Sequence, residues 1–391
     1  MINNLWSENK AKNFWLTQPE FDDMLWQQAV EKALPILQME NLPAKDEGRL
    51  LELILGEQQF GQNHWQLSRL RRYYYDVKPF MPRVLIRALR QLTQKRHNHD
   101  FKLRWPIDER YPLFRFEILK YMLELSDNYQ ITTRALWPDA ACFAFTLTHD
   151  IEDKKGQSFV HKIADMEEKL DFRSSFNFVP EKYPVDMALI SELKQRGFEV
   201  GIHGLKHDGK LFRSYNEFVK RAQGINRYFR EHDVVGFRAP LTHRHPEWMQ
   251  LLNMEYDLSF FDTDPYEPIP GGTMCIWPFI LGHFVELPYT LVQDYTLINV
   301  LGETTPQIWI DKVDFIEKYH GMALLNTHPD YLRNDLNWSV YREFLISMKN
   351  RGGYWHALPR EVAHWWRNRE IDAQVCSVFM DGDQLSFGIH S

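Results

Sequence analysis

The sequence predicts an α/β protein, a parallel sheet wrapped by helices and closed far enough to count as a barrel. Three observations carry that expectation. From Cys142 onward, short apolar runs alternate with segments of helical periodicity. About seven such runs can be counted, which suits a barrel better than an open sheet. Several of the runs end on ionisable residues, as expected where the βα loops of a barrel all open on one face.

Taken in order, CFAFTL leads into a helical segment over 159–170, and SSFNFV into one over 186–196. FEVGI is followed by a segment over 215–230, and VVGF by one over 246–252. DLSFF, CIWPFI and MALLNT complete the set, the last before a helix around 338–350. Residues 1–135 form a different region, helical and irregular, with amphipathic periodicity over 21–38 and 47–55. The segment 69–96 is markedly basic and aromatic, a composition open to peripheral contact with an anionic membrane surface. The barrel is expected over 140–370. The tail 371–391 contains VFMDGDQLSF, which reads as a β hairpin turning at Asp381-Gly382.

Composition narrows the function classes. Of 391 residues, 44% are hydrophobic and 25% charged, the proportions of an ordinary globular protein. A net charge of -7 argues against a general nucleic-acid surface. Cys142, Cys275 and Cys376 are far apart and odd in number, which favours a reducing compartment over a disulfide framework. No window is apolar enough to span a membrane, and MINNLWSENKAKNFW lacks the apolar core of a signal peptide. A cytoplasmic location is therefore expected. The abundant aromatics are read as core filling rather than sugar platforms.

The run ends carry the chemistry. CFAFTL is followed by Thr148-His149-Asp150-Ile151-Glu152-Asp153, and FEVGI by His203-Gly204-Leu205-Lys206-His207. VVGF is followed by Arg238-Ala239-Pro240, DLSFF by Asp262, and MALLNT by His328. His203 and His207 are four apart, so one helical turn would bring both imidazoles to one side. Two histidines and a carboxylate make a three-ligand site for zinc or a similar ion, with a position left for water. A second carboxylate nearby would take the water's proton, and a histidine across the site would protonate the leaving amine. Asp150, Glu152 and His328 are the candidates. Arg238 would hold one carboxylate ionised. His149, His243, His245 and His320 show no such pattern and are read as structural or exposed.

Between Phe143 and Ala357 these motifs resemble the polysaccharide deacetylase superfamily, the NodB-like enzymes of the carbohydrate esterase family 4 type. THDIED is similar to the first motif, HGLKH to the metal-binding one, RAP to the third and LLNTHP to the last. IWPF and VELPYTLVQD are similar to further stretches of bacterial members. The resemblance implies a distorted (β/α)7 barrel and metal-dependent removal of an acetyl group from an amino sugar or polysaccharide precursor. It implies Asp150 as base, His328 as acid and Arg238 orienting Asp150. Glu152, His203 and His207 would hold the metal, zinc foremost, with cobalt, iron or nickel also compatible. Leu325 and Pro240 would line the substrate pocket. The sequence departs from the pattern twice. The second acid is a glutamate followed by Asp153, which leaves Asp153 as an alternative ligand. The fourth motif is indistinct, with Asp262 or Trp277 as its representative. An acetylated carbohydrate is the implied substrate. The same site would serve hydrolysis of a non-sugar amide, and a non-catalytic carbohydrate-binding or scaffold protein is the alternative of another class.

Overall fold

The computed structural model describes residues 5–68, 72–73, 101–128, 130–382 and 384–389. The basic segment 69–96, apart from Arg72 and Tyr73, lies outside them.

The barrel is built on its longest inner strand. Phe143–Ile151 (β2, counting Gln130–Arg134 as β1) is buried at all nine positions. A strand covered on both faces reads as a near-continuous apolar run, as this one does until its last residues. On one edge β2 pairs in parallel with Met322–Thr327 (β9), from Ala144↔Met322 to His149↔Thr327. On the other edge its start pairs with Tyr354–His356 (β10) and its end with Ser175–Phe178 (β3). The sheet continues through Glu199–Ile202 (β4), Gly236–Phe237 (β5), Tyr256–Asp257 (β6) and Phe284–Glu286 (β8), all parallel. Phe279–Leu281 (β7) is antiparallel to β8. The gap between β8 and β9 is spanned by Thr290 and Leu291, whose N–H groups donate to the Leu324 carbonyl at 3.2 and 3.1 Å. Among the described residues, seven parallel strands from β9 round to β8 therefore form a distorted barrel, with β10 beside β2 as an extra strand.

The helices lie close to their expected ranges. Asp186 accepts from the Ala188 and Leu189 N–H groups to start Met187–Gln195, and Ser214 accepts from Glu217 to start Tyr215–His232. The expected helix over 21–38 is α-helical only over Asp23–Ala33 and tightens to a 3₁₀ turn over Leu34–Leu37. Pro35 is the cause, since it lacks the N–H that the next α turn needs. Among the described residues, no helix is long and apolar enough to cross a membrane.

Two strand expectations need correction. CIWPFI gives only Phe279 and Ile280 to a strand, because Pro278 interrupts the ladder. DLSFF gives only Asp257 of the run's neighbourhood to β6, and Phe261 makes a single bridge to Tyr289. The strand that completes this part of the barrel is β8, whose Phe-Val-Glu lacks a long apolar signature. The tail is also not separate. Val375–Asp381 (β11) and Gln384–Ile389 (β12) form the expected hairpin, but β1 pairs along the other edge of β11. Phe14 and Phe116 from the N-terminal region pack on Trp277 at 5.1 and 6.4 Å between ring centroids. The regions 1–135, 140–370 and 371–391 thus share one continuous core.

Candidate active site

Alternation along β2 and β9 decides which side chains reach the barrel interior. Thr148 and Asp150 point inward from β2, and Asn326 points inward from β9. His149 and Thr327 point outward, bonded to each other at 2.7 Å, with Glu167 of the helix Val160–Lys169 on the far side of the imidazole at 2.8 Å. His149 is therefore structural, as expected.

Asp150 is 2% exposed and fully engaged. Asn177 and Asn326 each donate to one of its oxygens at 3.0 Å, and Arg238 Nη1 donates at 3.3 Å. Arg238 is itself held by the Leu258 carbonyl at 2.8 Å, Thr148 Oγ1 at 2.9 Å and Asn326 Oδ1. Burial alone would raise the Asp150 pKa, but the Arg238 guanidinium and the neighbouring histidines hold it below the ordinary carboxylate range. The carboxylate is thus kept ionised and fixed in orientation.

Glu152 follows at the strand end, and His203 leaves the end of β4. The loop after His203 is not helical, contrary to the expected helical turn. Instead the chain turns through Gly204, at φ +64°, where a Cβ would lie 2.4 Å from the Pro240 ring. His207 then takes a left-handed φ of +51° and brings its ring to 5.0 Å from that of His203. The ligand atoms of Glu152, His203 and His207 all lie within 4.8 Å of one another.

The chemistry of this donor set fits a divalent ion. His203 Nδ1 donates to the Arg238 carbonyl at 3.1 Å, which leaves Nε2 with a free lone pair. Burial lowers the His203 pKa to about 4, so it is neutral near pH 7. His207 Nε2 is buried with no hydrogen-bond partner of proper geometry, 3.0 Å from Glu152 Oε1. Burial would raise the Glu152 pKa, yet His207 holds it well below the usual range. The His203 and His207 imidazoles with the ionised Glu152 carboxylate match the ligand types of zinc.

Asp153, the alternative ligand, is committed elsewhere. Its Oδ1 accepts from the Lys155 and Gly156 N–H groups at 2.7 and 3.0 Å and starts the turn Lys154–Gln157. Asp330 lies beside it and accepts from the Glu152 and Gly156 N–H groups at 2.8 and 3.1 Å. Burial and the Asp153 charge raise the Asp330 pKa to about 8.

His328 faces the cluster from the end of β9. Its Nδ1 bonds Asp294 Oδ1 at 2.7 Å, and its N–H donates to Asp294 Oδ2 at 3.0 Å. Burial would lower its pKa, but Asp294, with Glu152 and Asp150 beyond, raises it to about 10. His328 is thus a protonated acid at neutral pH, with its orientation set by Asp294. Asp294, fully buried, precedes the π-helical turn Tyr295–Val300. The sequence reading gave Asp294 no role, although it closes the stretch VELPYTLVQD. Asn326 and Asn177 were likewise missed. No local pattern marks them, because each acts across strands.

The remaining expected pocket residues divide. Pro240 shares a small recess with Leu205, His207 and His243. Leu325 does not face the site, since it shares the outer face of β9 with Thr327, and Asn326 takes the inward position. Asp262 binds Lys312 with both oxygens, at 2.9 and 2.8 Å, rather than any member of the Asp150 cluster. Trp277 donates to the His320 carbonyl at 2.9 Å, at the opposite end of the barrel.

No family model matches the chain, and no curated protein does. Solved structures are similar to it at low identity. A putative polysaccharide deacetylase from Mycobacterium smegmatis is 16% identical over 64% of this chain and 97% of its own, with a TM-score of 0.49. A probable polysaccharide deacetylase from Pseudomonas aeruginosa PAO1 is 14% identical over 64% and 98%, with a TM-score of 0.48. Puue allantoinase is 13% identical over 60% and 93%, at 0.47.

Proposed function

We propose that this protein is a metal-dependent hydrolase that removes an acetyl group from an amino sugar or a polysaccharide precursor. The observation that carries the reading is the meeting of the Glu152, His203 and His207 triad with a fixed ionised acid and a protonated histidine at one end of the barrel. Glu152, His203 and His207 would hold the ion, with zinc favoured by the N, N, O donor set. Such an ion, when bound, makes water a better nucleophile at neutral pH and polarises the substrate carbonyl.

The chain's own residues supply the proton transfers. Asp150 accepts a proton from the attacking water. Arg238 keeps that carboxylate ionised, and Asn177 and Asn326 fix its direction. His328 gives its proton to the nitrogen or oxygen of the departing sugar as the acyl bond breaks. Asp294 engages the imidazole at Nδ1, which leaves Nε2–H to serve the reacting group. Three free cysteines, two of them buried, accord with a reducing, cytoplasmic setting.

The test is elemental analysis of the purified chain, followed by an acetate-release assay on acetylated amino sugars. About one equivalent of divalent metal is expected, lost in His203→Ala and in Glu152→Ala. Absence of metal after zinc loading at neutral pH would turn the reading to a binding protein.

A further inference from the structure

At the end of the barrel away from Asp150, the N-terminal region meets the helix Pro359–Asp372 around a cavity of about 170 Å³. Its wall includes Asn9, Phe14, Tyr111, Arg115, Cys275 and Arg369. Arg115 is 2% exposed and Arg369 is 3% exposed. A buried guanidinium normally meets a carboxylate that offsets its desolvation. Here Arg115 has only the long ion pair to Glu47, and Arg369 has none among the described residues.

Arg115 uses Nε and Nη2 on the Tyr111 hydroxyl, at 2.9 and 2.6 Å, and Nη2 also on the Asn9 carbonyl at 2.6 Å. Its Nη1 has no acceptor, and Glu47 Oε1 stands off at 4.0 Å. Arg369 gives only Nη2, to the Phe14 carbonyl, and both Nε and Nη1 are buried without acceptors. Among the described residues, Arg369 makes no salt bridge, and its pKa is lowered by burial with nothing to offset it. The Phe14 ring packs against both cations, its centroid 5.0 Å from Arg115 Cζ and 5.6 Å from Arg369 Cζ. The Cys275 thiol on the same wall is pushed up to about 12 and stays neutral. Glu8, Arg367 and Glu370, all exposed, line the cavity's outer part, so a ligand has a route in.

We propose that this cavity is a binding site for a phosphate-sized oxyanion, held between Arg115 and Arg369. Three unused guanidinium donors on two walls suit an anion with several acceptor oxygens. The ligand is either free phosphate or the phosphomonoester end of a small molecule whose remainder extends towards the exposed mouth. The site lies on the face opposite the candidate metal ligands, so its effect is on the joint between the N-terminal region and the barrel rather than on the chemistry.

The experiment is calorimetric titration of the whole metal-loaded chain at fixed ionic strength with inorganic phosphate, methyl phosphate and acetate. One saturable phosphate site is expected, unchanged in His203→Ala, which separates it from any phosphate on the metal. Arg369→Met should weaken it at least about ten-fold. If that variant does not fold, Arg369→Lys, which keeps the charge and loses the fork, should still weaken it by a smaller factor. The exposed Arg367→Gln should leave it unchanged. Equal binding of methyl phosphate indicates an esterified ligand, and preference for inorganic phosphate indicates the free ion. No saturable binding, binding lost in His203→Ala, binding indifferent to both Arg369 variants, or acetate binding as well as phosphate would each overturn the proposal.

Discussion

Asp150 and Asp262 make an instructive pair. Both are aspartates near the C-terminal ends of barrel strands, both are about 2% exposed, and both pair with a buried cation. Their environments nevertheless separate them. Lys312 occupies both oxygens of Asp262, and burial still raises its pKa to about 6. Asp150 shares its cation with Thr148 and Asn326, takes two further amide donors, and stays ionised. Its neighbours are also the histidines of the candidate metal site. Position at a strand end does not distinguish a candidate reacting carboxylate from a structural one. The company it keeps across the barrel does.

The contrast can be broken by mutation. Asp150→Asn should retain metal yet lower turnover by about 10²–10⁴-fold, the usual loss of a general base. Stopped-flow or steady-state assay beside metal analysis reads this, and a fully active variant removes Asp150 from the mechanism. Lys312→Met should do the reverse, leaving metal content intact while costing about 3–5 kcal/mol of stability, because Asp262 is then buried unpaired. Denaturant unfolding measures it, and unchanged stability would mean that Asp262 is simply protonated.

A smaller effect sharpens the same comparison at His328. Its alkaline limb in kcat/KM should move to lower pH by at least about one unit in Asp294→Asn, since the charge that holds the proton is gone. An unmoved limb would assign the acid elsewhere. The smallest effect concerns Glu199, at the start of β4, whose carboxyl accepts from Tyr256 at 2.7 Å and from the Arg360 N–H at 3.0 Å. Burial raises its pKa to about 7 from 4.5. The protonated form is the one the fold favours, so this contribution is fully present below pH 4.5 and lost as pH rises through 7. Glu199→Gln should flatten the stability curve across that window by about 1–2 kcal/mol, after allowance for its partial exposure.

Much of this arrangement was legible in the sequence, for a physical reason. A strand buried on both faces is mostly apolar, so the abrupt change at Thr148-His149-Asp150 marks the barrel rim in the sequence itself. HGLKH and the histidine after MALLNT were visible in the same way. What the sequence hid was pairing at a distance. Asn177, Asn326 and Asp294 are ordinary polar residues until a sheet register sets them against Asp150 and His328. Leu325 was misplaced because a one-residue shift along a strand reverses the face. The difference between Glu152 and Asp153 was likewise hidden in a local turn, in which the shorter acid accepts from the Lys155 and Gly156 N–H groups.

The pairing of β1 with β11 has a consequence for handling the molecule. A barrel cut free at residue 135 would lose the strand that covers one side of β11, along the ladder from Gln130↔Phe379 to Arg134↔Val375. That side would then present a row of unmatched N–H and C=O groups, a template onto which other chains can add strands. Arg244, now clasped by Glu57 of the N-terminal region at 2.5 Å on two nitrogens, would lose its counter-ion in the same cut. Such a fragment should therefore come out of solution as aggregates, and the smallest soluble unit that keeps the rim in order reaches back past Glu57.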